Sequence, residues 1–318
     1  MRELWDRANK PGARFIYGPV PSRRLGFSLG VDILPFKTCS MNCIYCQLGP
    51  SPKTTARRRE YVPESEVLAQ IRKALESGQR IDAVTFSGSG EPTLHSGIGR
   101  LIRRIKKMTD IPAVVITNGS CLVSERVRRD LAGADIVVPS LDAVTPGVFR
   151  KINRPHPGVS TAKIIAALAR FRREFRGQIW LEIMLVKGVN DAPAHLEKLK
   201  EAIARIGPDR VQLNTVVRPP AEPSAQPLSL GELKKIKSFL GEKTEIIARF
   251  QRKARTSRTK NIGSAILATA KRRPVTAEDL SLSLAESVVA VRARAGRLVK
   301  QGKLKRVMHK GREYFESR

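Results

Sequence analysis

The chain has no long apolar run, few cysteines and half as many acidic as basic side chains, and each shortage excludes something. Nowhere in its 318 residues does an uninterrupted apolar stretch approach the ~20 residues that a membrane-spanning helix needs. The opening, Met1-Arg2-Glu3-Leu4-Trp5-Asp6, lacks the apolar centre of a secretion signal, which predicts a reducing, cytoplasmic location. Four cysteines, three of them crowded between positions 39 and 46, do not make a disulfide framework, whereas a close cluster in such a chain is metal-binding or catalytic. The fourth, Cys121, follows an apolar run and reads as a small half-buried side chain. The acid deficit, 29 Asp and Glu against 59 Lys and Arg, leaves a formal charge of +30. That charge attracts polyanions, so a nucleic acid is the expected partner. The cations are spread over many segments rather than gathered in one amphipathic anchor, which argues against a membrane surface.

What the chain does have is repetition. Short apolar, β-rich runs at 29–34, 81–86, 113–117, 135–139, 179–186 and 210–217 alternate with stretches of helical period, a βα pattern. Val67, Leu68, Ile71 and Leu75, then Ile98, Leu101, Ile102 and Ile105, recur at three- and four-residue steps, so one face of each helix packs inward. Arg100, Arg103, Arg104, Lys106 and Lys107 fall on the outer face of the second. Further helices are expected at 164–175 and 196–206, and one opening on the capping box Ser229-x-x-Glu232. Six strand–helix units fall two short of a closed eight-fold barrel, which gives a partial (β/α)6 TIM-like barrel over residues 1–250, open on one side.

A basic Ser/Thr-containing segment at 251–261 reads as a linker. Beyond it, helices around Ile262 to Ala270, at 276–285 and at 286–301, then strands at 303–307 and 312–315 around Lys310-Gly311, follow the order of a winged helix over 262–318. Arg294, Arg297 and Lys300 on its third helix, with Lys303, Lys305, Arg306, Lys310 and Arg312 in the hairpin, suit phosphate contacts. The helix offers little for reading bases, so RNA is expected ahead of DNA.

The chemistry gathers at the carboxyl ends of the strands, where barrels place their sites. The first strand runs into Cys39-x3-Cys43-x2-Cys46, three soft thiolate ligands. Zinc, with His95 or His156 as a fourth ligand, is the rival occupant, but zinc loops come as paired C-x2-C units and no second pair exists. The second strand ends in Ser87-Gly88-Ser89-Gly90-Glu91-Pro92. There glycines allow close backbone approach, and free carbonyls plus Glu91 can accept from an ammonium group. The third ends in Thr117-Asn118-Gly119, the fourth in Ser140-Leu141-Asp142 and the fifth in Lys187-Gly188-Val189-Asn190-Asp191.

The cysteine spacing, with Tyr45 before the last ligand and these polar turns in order, resembles the radical S-adenosylmethionine (SAM) superfamily. Tyr17 to Gly26, Cys46-Gln47-Leu48-Gly49 and Asn214 to Pro220 resemble, within it, a group related to but distinct from the wyosine-forming transfer-RNA enzymes, over roughly residues 16–220. The resemblance implies a [4Fe-4S] cluster on Cys39, Cys43 and Cys46, with its fourth iron open to SAM. It also implies a low-potential electron donor and a 5′-deoxyadenosyl radical that abstracts hydrogen from the substrate. By the same resemblance Tyr45, Gly88, Ser89, Gly90, Glu91, Thr117, Asn118, Ser140, Asp142, Lys187 and Asn190 contact SAM. The wyosine enzymes carry cysteines for a second cluster, which this chain lacks, so their reaction is not transferred. Arg23, Arg24, Lys151, Arg154, His156 and Arg218 are expected around the open mouth. The first expectation is an RNA-modifying enzyme. The alternatives are modification of a protein or peptide held by the winged helix, and a redox-sensing DNA-binding regulator.

Overall fold

A computed structural model describes residues 13–51, 53–247 and 262–317; the expected linker at 251–261 lies outside them. Eight strands form one sheet in chain order: β1 (Ile16–Ser22), β2 (Gly26–Val31), β3 (Ala83–Phe86), β4 (Ala113–Thr117), β5 (Ile136–Pro139), β6 (Gln178–Leu185), β7 (Arg210–Thr215) and β8 (Thr244–Ile246). From β2 to β8 every pairing is parallel. Strands β2–β7 are the six expected from sequence. Two more extend the sheet at its edges. β1 is antiparallel to β2 and contains Pro19 and Pro21, which an edge strand tolerates because it owes no hydrogen bonds on its outer side. β8 spans three residues, too few for a periodic signal.

Outside the sheet lie α1 (Glu64–Leu75), α2 (Ile98–Lys106), α3 (Glu125–Leu131), α4 (Pro146–Asn153), α5 (Thr161–Glu174), α6 (Pro193–Ile206) and α7 (Leu230–Leu240). Their apolar faces join the outward residues of the strands in one core. Arg103, Arg104, Lys106 and Lys107 stay exposed on α2, as the helical period requires. The expected capping box forms at Ser229 and Glu232.

Because strand side chains alternate between faces, Ala113 and Val115 of β4 join that outer core while Val114 and Ile116 point into the barrel. Inside, Leu25, Ala83, Val114, Val138 and Trp180 make an apolar plug. On the inward face of β6 and β7 lies a polar layer. Arg24 donates to Glu182 at 2.5 Å and Gln212 at 2.9 Å, Arg23 donates to Asn214 at 2.7 Å, and Asn214 donates to Glu182 at 2.9 Å. The plug fills the inside of the barrel, and this layer, one inward position further along β6, floors the cavity next to it.

The C-terminal residues form α8 (Ile262–Ala270), α9 (Ala277–Leu284) and α10 (Val288–Lys300), then an antiparallel hairpin of β9 (Leu304–His309) and β10 (Arg312–Ser317). They enclose a core of their own, including Ile266, Leu280, Val291, Leu298 and Phe315. Three helices and a hairpin is the order expected. The unit rests on both sides of the barrel's gap. α8 and α9 pack on edge strand β1; Tyr314 Oη donates to the Val217 carbonyl at 2.8 Å, and Lys310 reaches Gln226, both in the loop after β7. Among the described residues, no helix is long and apolar enough to cross a membrane.

Candidate active site

The cysteine loop that follows β2 is stitched down from three sides. From the β3 turn, Glu91 N donates to the Thr38 carbonyl at 3.0 Å, and Lys37 N to the Ser89 carbonyl at 2.7 Å. From the end of α4, Ile44 N bonds the Ile152 carbonyl at 3.0 Å, and His156 N the Ser40 carbonyl at 2.8 Å. From the loop after β7, Glu222 N bonds the Ile44 carbonyl at 2.9 Å. Met41 and Ile44 sink into the core, which leaves Cys39, Cys43 and Cys46 half-buried, unpaired in disulfides and lining one cavity of about 360 Å³. Gly90 allows this closeness: a Cβ there would lie 1.8 Å from the Thr38 carbonyl oxygen.

Each thiol has its own side-chain donor. Asn118 Nδ2 lies 3.6 Å from Cys39 Sγ, Asn153 Nδ2 3.4 Å from Cys43 Sγ and Lys37 Nζ 4.0 Å from Cys46 Sγ. Met41 N adds a bond to Cys39 at 3.4 Å. Burial drives the Cys39 thiol up to about 12 and Cys43 well above the ordinary thiol value. Both stay protonated until a metal displaces the proton. Among the described residues, no three His, Cys, Asp or Glu side chains converge closely enough for a single ion. A cubane needs another arrangement, since each thiolate takes a different iron and the sulfurs stand apart. The donor set is soft and all-sulfur, with donors aimed at each sulfur, and this fits an iron–sulfur cluster. Zinc fits poorly: His95 is fully buried with its ring nitrogens 3.3 Å from the Val62 carbonyl and 3.0 Å from Gly97 N. His156 Nδ1 contacts the Pro157 carbonyl at 2.7 Å.

Of the SAM contacts expected from sequence, Tyr45, Gly88, Ser89, Gly90 and Ser140 line the same cavity. The others stand behind it. Glu91, 2% exposed, accepts from Thr93 N at 3.1 Å, Thr93 Oγ1 at 2.5 Å, Thr117 Oγ1 at 2.6 Å and Asn118 N at 2.6 Å. It therefore ties the β3 turn to the β4 turn. Asp142 accepts from Tyr45 Oη, from Asn153 Nδ2 at 2.7 Å and from Met184 N at 2.9 Å. Burial raises its carboxyl to about 6 against the pull of those bonds. Asn190, fully buried, bonds Val186 N, the Asp142 carbonyl and the Met184 carbonyl, each at 2.8 Å. Lys187 points elsewhere, to Glu232 at 3.0 Å.

The remaining wall mixes apolar side chains with a group of cations. Arg23, Arg24 and Arg218 line it as the sequence led us to expect, while Lys151, Arg154 and His156 do not; Arg154 pairs with Glu222 at 2.6 Å. Sequence reasoning missed four residues here: Lys37, Asn153, and from the C-terminal unit Arg272 and Arg273. Arg272 crosses to Asp32 at 2.9 Å in a pair with both side chains 6% exposed. Asp32 in turn accepts from Ser89 N at 3.0 Å and Ser89 Oγ at 2.6 Å. The only signal of this in the sequence was that Arg272-Arg273 opens a turn between two helices.

Residues 33–213 match the family model described as Radical SAM superfamily. The chain is 38% identical over 293 residues to a protein named GTPase Obg of Brachyspira hyodysenteriae, covering 91% of this chain but only 43% of that protein's length. It is 30% identical over 306 residues to a UPF0026 protein of Methanocaldococcus jannaschii, 94% of each chain. It is 28% identical over 200 residues, 59% of this chain and 48% of the other, to the dual-specificity RNA methyltransferase RlmN of Sorangium cellulosum. Among solved structures, TYW1 with a lysine-pyruvate adduct bound shares the fold at 19% identity and a TM-score of 0.54, over 70% of this chain and 75% of that one.

Proposed function

The chain belongs to the radical SAM superfamily, and from that premise we propose that Cys39, Cys43 and Cys46 hold the [4Fe-4S] cluster of an enzyme that modifies RNA. Cluster and SAM are the family's cofactors, and together they supply a 5′-deoxyadenosyl radical that removes a hydrogen atom from the substrate. The residues of this chain hold and shield that chemistry. Asn118, Asn153 and Lys37 donate toward the three sulfurs. Tyr45, Gly88, Ser89, Gly90 and Ser140 form the wall that SAM would meet, and Glu91, Thr117, Asp142 and Asn190 fix the turns that carry it. The C-terminal unit, which we treat as a winged-helix domain following a barrel domain that ends near residue 250, closes the gap against water.

The observation that carries this reading is the joining of three free thiols and a cluster of arginines in one cavity. The +30 charge and the relative named as an RNA methyltransferase support RNA as substrate. The test is anaerobic reconstitution with iron and sulfide, one-electron reduction, and chromatography of the products formed from SAM with and without total small RNA. Release of 5′-deoxyadenosine that rises with RNA, and that carries deuterium when the RNA is deuterated, is the expected outcome. No 5′-deoxyadenosine under any condition refutes the assignment; release indifferent to RNA refutes the substrate.

A further inference from the structure

Five guanidinium groups line the cavity beside the cysteine loop: Arg23, Arg24, Arg218, Arg272 and Arg273. Two have close carboxylate partners, Arg24 in Glu182 at 2.5 Å and Arg272 in Asp32 at 2.9 Å. The other three come from three separate parts of the chain. Arg23, in the β1–β2 turn, is held by a neutral amide, Asn214 Oδ1, at 2.7 Å. Arg218, after β7, reaches Gln47 Oε1 at 3.3 Å and lies 3.8 Å from Asp279 of α9. Arg273, between α8 and α9, has its Nε buried without a hydrogen-bond partner.

Among the described residues, five guanidiniums against Glu182, Asp32 and Asp279 leave two positive charges in excess, and Lys37 on the same wall adds a third beside Cys46. They act on one another. Burial first, then Arg273 and Arg23, bring Arg218 down to about 9. Burial, with Arg24 and Arg273 adding to it and Glu182 opposing, brings Arg23 to about 10. Desolvated like charges are expensive to keep, and a fold that keeps them has use for an anion. A carboxylate is planar, carries one charge and suits one bidentate arginine. A phosphate presents three oxygens in three dimensions and up to two charges, which matches forks supplied by three segments of the chain and an excess of more than one positive charge.

We propose that Arg23, Arg218 and Arg273 form a subsite for a phosphate group of the substrate, within the cavity that holds the cysteine loop, the C-terminal unit supplying one of its three arms. This deepens the reading above and rests on it for the identity of the cavity as the reaction site. It gives the C-terminal unit a second task besides any surface contact with nucleic acid: its docking completes the pocket.

The test uses the full-length, anaerobically reconstituted protein in chloride buffer, with calorimetric titration of inorganic phosphate. Saturable 1:1 binding is expected, weakened at least tenfold in R273Q and in R218K, which keeps the charge and loses the fork. The control R103Q, which removes an exposed arginine of the outer barrel helix α2, leaves it unchanged. Absence of saturable binding, or an equal loss in R103Q, overturns the proposal. R218K guards against misreading a poorly folded R273Q, because circular dichroism and cluster absorbance report its folding independently. A 5′-phosphorylated hexaribonucleotide, its dephosphorylated form and adenosine monophosphate then identify the phosphate's source. A tenfold loss on dephosphorylation supports the subsite, and affinity indifferent to the phosphate overturns it. Binding of the mononucleotide alone upholds the subsite while refuting the RNA substrate.

Discussion

Replacing Arg272 with methionine tests the docking of the C-terminal unit directly. The guanidinium donates to Asp32 Oδ2 at 2.9 Å, to the Arg14 carbonyl at 2.6 Å and to the Ala268 carbonyl at 3.0 Å, and its centre lies 5.1 Å from the Tyr17 ring. Methionine keeps much of the packing volume but leaves Asp32 buried with only Ser89 to serve its charge. Removing one partner of a buried pair costs about 3–5 kcal/mol, mostly the penalty of the orphaned ion. At about 1.4 kcal/mol per factor of ten, opening of the C-terminal unit should become more frequent by roughly two to four powers of ten. Hydrogen exchange by mass spectrometry reads this as lost protection in α8 and α9, with the outer barrel helices changing less. The double variant D32N/R272M removes the orphaned charge as well, so it should recover a large part of the loss. If R272M exchanges like the parent protein, or if the double variant is the sum of the singles, the pair does not hold the unit in place.

Serine in place of Cys39, Cys43 or Cys46 should abolish cluster absorbance and iron retention after reconstitution, whereas Cys121→Ser, altering a half-buried thiol beside Ser120, should retain both. Lys37→Met withdraws a cation 4.0 Å from Cys46 Sγ and should make the cluster harder to reduce, by several tens of millivolts at about 59 mV per 1.4 kcal/mol for one electron. A redox titration followed by electron paramagnetic resonance checks it, and an unchanged potential refutes it. For Asp142, burial raises the folded carboxyl from 3.8 to about 6. The folded state therefore holds more protons than the unfolded state between those values. Its contribution to stability falls as pH rises through that window, by up to about 1.4 kcal/mol per pH unit. Urea denaturation of the protein and of Asp142→Asn across pH 4–6 should differ in slope, and parallel curves would sink the argument.

The sequence by itself determined whatever rests on neighbours in the chain. The alternation of β2–β7 with amphipathic helices, the capping box at Ser229, the cysteine loop, and the order of three helices and a hairpin all follow from local period, turn chemistry and spacing. Local signals failed where an element is short or irregular: β1 carries two prolines and β8 has three residues. Side-chain roles were the harder part, because chemically similar residues meet different fates. Arg100 stays at the surface with Glu60 and Glu64, while Arg272 is buried against Asp32, 240 positions away. Glu91 reads as an open acceptor after a glycine turn, yet the β4 turn folds over it and takes up its oxygens. Asn153 carries no motif and becomes a neighbour of Cys43 only when α4 closes on the loop, while Lys37, two residues before Cys39, is brought to Cys46 by the curl of the loop against the β3 turn. Which arginines share a water-poor cavity is thus a property of packing between distant segments: burial decides whether a charge is solvated or must find a partner, and only tertiary structure decides burial.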